Sequence, residues 1–143
     1  MKIPEELKSR LLSELNFVIR KVNEEPDATR KLYFLSGAHG AVERTMRFYL
    51  EPKLVMAHSI LNVCYSMLLD RFNRVKGGDV AVQLPEDWPK QVVENLTELR
   101  KSIKENQSIY PALEKMILLA YSTTGPGYYA KSYLESSRAV SET

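Results

Sequence analysis

Residues 54–69, LVMAHSILNVCYSMLL, form the longest apolar stretch of the chain. They fall short of the roughly 20 apolar residues a membrane-spanning helix needs. His58, Ser59, Asn62 and Ser66 interrupt them, and Lys53 and Asp70 close the two ends. Leu54, His58, Leu61, Tyr65, Leu68, Phe72 and Val75 alternate by four and three residues, the seam spacing of a helix packed against its neighbours. Val55, Met56, Ile60, Val63, Cys64, Met67 and Leu69 widen the apolar surface beyond one stripe. The stretch therefore reads as a buried helix at the centre of the fold.

Upstream, Leu32, Leu35, His39, Val42, Met46 and Tyr49 repeat the same alternation, which predicts a helix running to about Leu50, where Pro52 forces a restart. Before Pro26, a first amphipathic helix places Leu7, Leu11, Leu15, Val18, Ile19 and Val22 on one face. Lys8, Arg10, Glu14, Arg20 and Lys21 occupy the other. Downstream, Gly77-Gly78-Asp79 ends the central helix, and Val80–Pro89 forms the longest loop, with room for a short extended piece at Val80–Leu84. A fourth helix carries the narrow stripe Trp88, Val92, Leu96, Leu99 and Ile103 and is expected on the outside. A fifth starts near Ser108 and is expected to bury Ile109, Leu113, Met116, Ile117 and Ala120. After Thr124-Gly125-Pro126-Gly127, Tyr128, Tyr129, Tyr133 and Leu134 leave room for one more short helix. The expected architecture is all-α: one helical bundle domain over residues 1–134, with four or five principal helices and a short C-terminal helix, followed by a flexible tail at 135–143.

Composition bounds the chemistry. The 143 residues are enough for one domain with its own core, and 44% hydrophobic with 27% charged residues is an ordinary globular balance. One cysteine, Cys64, excludes an internal disulfide and sits in an apolar run away from any Cys/His cluster, so the reducing cytoplasm is the expected compartment. Glu5, Glu6 and Lys8 stand where a secretory signal would need an apolar core, and no membrane partner is expected. No Gly-x-Ser-x-Gly elbow or phosphate-binding glycine loop is present, and Cys64 is expected to be buried and inert. No catalytic residue and no cofactor are assigned. Gly37 and Gly40, inside the second helix, would each cost roughly 1 kcal/mol relative to alanine, which points to a close helix approach there.

The two histidines both fall on helix seams. If helices two and three reverse about Glu51, His58 comes level with Glu43, and His39 with Val63. The histidines are then offset by roughly 7–8 Å along the axis, and direct pairing is not expected. Glu43, one turn after His39, could join them, which makes His39, Glu43 and His58 the candidate metal ligands. The bland alternative is a hydrogen bond from His58 to Glu43.

Charge is unevenly placed, although the net charge is only +2. From Ala28 to Lys76 there are eight basic residues against Glu43, Glu51 and Asp70. Arg30, Lys31, Arg44, Arg47 and Lys53 are therefore candidate nucleic-acid contacts. Tyr128 and Lys131, beside Tyr129 and Tyr133, would suit base stacking next to a cation. With apolar residues on more than one side of helix three and aromatics in excess near the carboxyl end, the first expectation is a non-enzymatic helical interaction protein, a homo-oligomer or small subunit whose partner is itself or another protein. The alternatives are an RNA- or DNA-binding accessory subunit using the basic surface of helices two and three, and a metal- or ligand-binding helical enzyme.

Overall fold

A computed structural model describes residues 1–123 together with Tyr133 and Ser136. The described chain is all-helical: α1 (Glu5–Glu24), α2 (Ala28–Met46), α3 (Pro52–Lys76), α4 (Trp88–Lys104) and α5 (Tyr110–Ser122). Local chemistry sets most of the boundaries. Asp27 caps α2 by accepting from the Arg30 backbone N–H at 3.1 Å, and Glu51 caps α3 by accepting from Lys53 and Leu54 at 2.8 and 3.3 Å. Prolines occupy the first turns of α3, α4 and α5, where a missing N–H costs nothing. At the end of α3, Gly78 takes φ +86° while its N–H bonds the Val75 carbonyl and that of Asp79 bonds the Arg74 carbonyl, a Schellman closure. Asn106 makes the same closure after α4 at φ 55°.

The helices form a closed ring in the order α1, α2, α3, α5, α4, each packing on two neighbours. Leu11, Leu15, Leu32, Leu68, Leu96, Leu99 and Leu113 meet inside with essentially no exposure. Because α5 lies between α3 and α4, the Gly77–Asp87 connection must cross it. Val82 is buried on the way, and the Gln83 N–H reaches the Thr123 carbonyl at 3.4 Å. No strand forms at Val80–Leu84.

Several expectations change. Helix α3 is not the centre of the fold; it is one side of the ring, and Val55, Met56 and Val63 face outward. For the same reason α4 is no more external than its neighbours, although its stripe of Trp88, Val92, Leu96, Leu99 and Ile103 is buried as expected. α2 stops at Met46, not Leu50, because Glu51 must be extended to cap α3 and the reversal has to fit before it. Lys8 is only 7% exposed rather than solvated; its ammonium donates to Asn106 Oδ1 at 3.1 Å and ties α1 to the α4–α5 turn. In α5 the buried set is Ala112, Leu113, Met116, Leu119 and Ala120, with Ile117 turned outward. The near-continuous apolar run there left its phase ambiguous. Most of the short C-terminal helix and the 135–143 tail lie outside the described residues, where Tyr133 and Ser136 are helical and exposed.

Candidate functional site

His39 and His58 do meet, against expectation. Their rings lie 5.7 Å apart, edge to face, and the Tyr65 ring is 5.8 Å from His39. The correction follows from the helix ends. The reversal between Met46 and Pro52 is centred on Tyr49 rather than Glu51, which brings His39 level with Ser59, beside His58. Glu43 does not join them through a hydrogen bond; it pairs with Arg47 at 3.4 Å. Among the described residues no group of three His, Cys, Asp or Glu side chains is placed to hold a metal ion. The His39 Nδ1 atom is buried without a hydrogen-bond partner, which leaves nothing at that atom to stabilise an imidazolium. Burial first, and the neighbouring His58 second, hold His39 below its ordinary value, with Glu43 opposing them.

The candidate phosphate contacts are largely engaged within the chain. Arg44 reaches across to α1 and pairs with Glu14 at 2.6 Å, and Arg47 pairs with Glu43. The Lys31 ammonium donates to the Val22 carbonyl at the end of α1. Arg30 is exposed and Lys53 half-buried at the starts of α2 and α3. Tyr128, Tyr129 and Lys131 lie outside the described residues.

The glycines divide. A side chain at Gly37 would meet Val18 Cγ2 at 3.2 Å, so this is the close approach of α2 to α1. At Gly40 the nearest atom is Nη1 of the Arg44 guanidinium at 3.3 Å. Cys64 is buried as expected, and desolvation pushes its thiol up to about 12. The void beside it holds about 10 Å³, too little for any ligand beyond a single water.

The feature that residue-by-residue reading missed lies on the opposite flank of α3. Between α3 and α5 runs an open groove of about 330 Å³ walled by Met56, Ile60, Tyr110, Leu113, Ile117 and Leu118, with Glu114 as its one ionisable carboxylate. Leu118 is 60% exposed, Val63 43% and Ile117 37%. The signal was present in the sequence: residues 54–69 contain no Asp, Glu, Lys or Arg, and Tyr110–Ser122 contain only Glu114 and Lys115. Lys115 turns away to pair with Glu98 of α4 at 2.6 Å.

Compared with family models, with curated proteins and with solved structures, the chain finds no match in any of the three. None of the described helices is long and apolar enough to cross a membrane.

Proposed function

We propose that this protein is a non-enzymatic helical interaction module and that the α3–α5 flank is its docking surface. The observation that carries this reading is an exposed apolar face built from two helices and almost free of charge. Depletion of charge at the centre of a patch is the compositional mark of an interface, whereas scattered exposed apolar residues are normal on any surface. The basic side of the molecule supports phosphate binding less well, because Arg44 and Arg47 are already held by carboxylates of the same chain.

Light scattering on a sizing column tests the reading, using untagged protein and the Leu118→Lys variant. The wild type is expected above the 16.4 kDa of one chain, whether from a second copy or from a co-purified protein, and the variant at 16.4 kDa with an unchanged helical circular dichroism spectrum. A wild type that runs as a single chain at high concentration, and that binds an apolar reporter dye no better than the variant, removes the proposal.

A further inference from the structure

We infer that a second groove, between α4 and α5, is a binding site for a small free primary amine, whose ammonium head is received by Asn95 and Glu94. This groove lies on the other side of Leu118 from the apolar one and holds about 320 Å³, at the low end of small-ligand sites. Asn95 is the residue that calls for a ligand. It sits on the buried stripe of α4 between Val92 and Leu99, where the helical period asks for an apolar residue, and it is only 8% exposed. No described residue hydrogen-bonds its carboxamide. Among the described residues, the side-chain polar atoms sealed away without a partner belong to His39 and Arg71, so the Asn95 amide is open on one side, and that side is the groove. Behind it lies the void of about 10 Å³ lined by Leu35, Leu61 and Leu96, which offers it no partner. A buried amide without a partner is costly, and an apolar side chain here would fill the void instead.

The other lining groups set the sign of the ligand. Their donors are largely engaged within the chain: Gln91 Nε2 donates to Asp87 at 2.9 Å, the Ser122 hydroxyl to the Leu119 carbonyl at 2.8 Å, and the Lys115 ammonium to Glu98 at 2.6 Å. Their acceptors are open. Gln91 Oε1, the Glu94 carboxylate, Asn95 Oδ1 and Ser122 Oγ keep lone pairs, and Glu94 has no ion-pair partner among the described residues. Asp87, Glu94 and Glu98, lining the groove or bonded to its lining, stand against the one ammonium of Lys115. Lys90, one turn before Glu94 and exposed, is the nearest further cation along α4, and with it counted the carboxylates still outnumber the cations. A primary ammonium carries three protons and no acceptor, which complements such a wall, and Leu118 and Leu119 give an aliphatic stem an apolar side to lie on.

Nuclear magnetic resonance on the ¹⁵N-labelled full chain tests this, with pentylamine as one titrant and hexanoate, the same stem under the opposite charge, as the other. Pentylamine at about millimolar concentration is expected to shift the Asn95 carboxamide and Ser122 amide signals saturably, and hexanoate to leave them in place. Glu94→Gln, an exposed position where folding is not at stake, is expected to weaken pentylamine binding about tenfold. Asn95→Leu is expected to abolish binding yet raise the thermal midpoint, because the leucine fills the void and removes the unpartnered amide. Equal shifts from hexanoate overturn the cationic head. Binding unchanged in Glu94→Gln overturns the assignment of that head to Glu94, whether or not Asn95→Leu folds. Tighter binding of Nα-acetyl-lysine methylamide than of pentylamine moves the site from a free amine to a lysine side chain of a partner. No saturable shift from pentylamine removes the site and leaves the Asn95 amide to water.

Discussion

The α1–α2 flank and the α3–α5 flank both expose large apolar side chains, but in opposite company. On α1 and α2, Phe17 and Tyr33 are exposed among charges: Arg20 and Lys21 each lie 5.7 Å from the Phe17 ring, and the Arg44–Glu14 pair bridges the two helices. Cations over an aromatic face and a bridging ion pair suit a surface that stays in water. On α3 and α5, Val63 and Ile117 are exposed beside a groove whose only charged lining residue is Glu114, while Leu118 also borders Glu94 and Lys115. In the function proposed above, low charge around exposed apolar side chains, and not exposure alone, is what singles out the α3–α5 flank. The two flanks also differ in tightness, because Gly37 brings α2 hard against Val18 of α1 while an open groove separates α3 from α5.

The largest contrast is expected in thiol chemistry. Cys64 lies on the inner side of α3, and its thiol is raised to about 12, so a disulfide reagent should label it orders of magnitude more slowly than it labels the unfolded chain. Labelling that is fast without denaturant would mean that α3 is loosely seated and that its inner face is no better shielded than its outer one.

Next comes the tight α1–α2 contact. Gly37→Leu is expected to cost about 1–3 kcal/mol by overpacking against Val18, read as a lower urea midpoint. Gly40→Ala is expected to stabilise α2 by up to roughly 1 kcal/mol, less whatever is lost as the Arg44 guanidinium shifts on Glu14 to admit the methyl group. Equal effects at the two positions would contradict the assignment of the close approach to Gly37.

pH should act on the α2–α3 seam. Folding holds His39 below its ordinary value, so below about pH 6.5 the unfolded chain binds a proton that the folded chain resists. Stability contributed by neutral His39 is thus complete above that pH and declines as the pH falls, levelling once the folded imidazole also titrates. Thermal melts between pH 7.5 and 5 are expected to show this decline in the wild type and a flatter profile in His39→Phe. Identical profiles would show that the His39–His58 contact does not couple to folding.

The smallest effect belongs to the ion pair across α1 and α2. Arg44→Ala and Glu14→Ala, combined in a double-mutant cycle, are expected to give a coupling of about 0.2–1 kcal/mol that shrinks in high salt, since both side chains remain partly in solvent. A coupling insensitive to salt would mean that the pair is shielded, and that this flank is less wet than its composition suggests.

The sequence by itself determined that the chain is helical, where most of its helices begin and end, and that α4 buries one face, because periodicity, caps, prolines and glycines act over a few residues. It also held the missing charges of residues 54–69 on which the proposed docking surface rests, although the apolar run first reads as a buried centre. Which side of that run is covered is a matter of neighbours. Only the closure of the ring, with α5 inserted between α3 and α4, turned Val63 and Ile117 outward, put Lys8 beneath the α4–α5 turn and brought His39 to His58. Those placements depend on a shift of two residues in the centre of a reversal and on the phase of an almost uniformly apolar helix. Local propensity leaves both nearly degenerate, and packing across the bundle decides them.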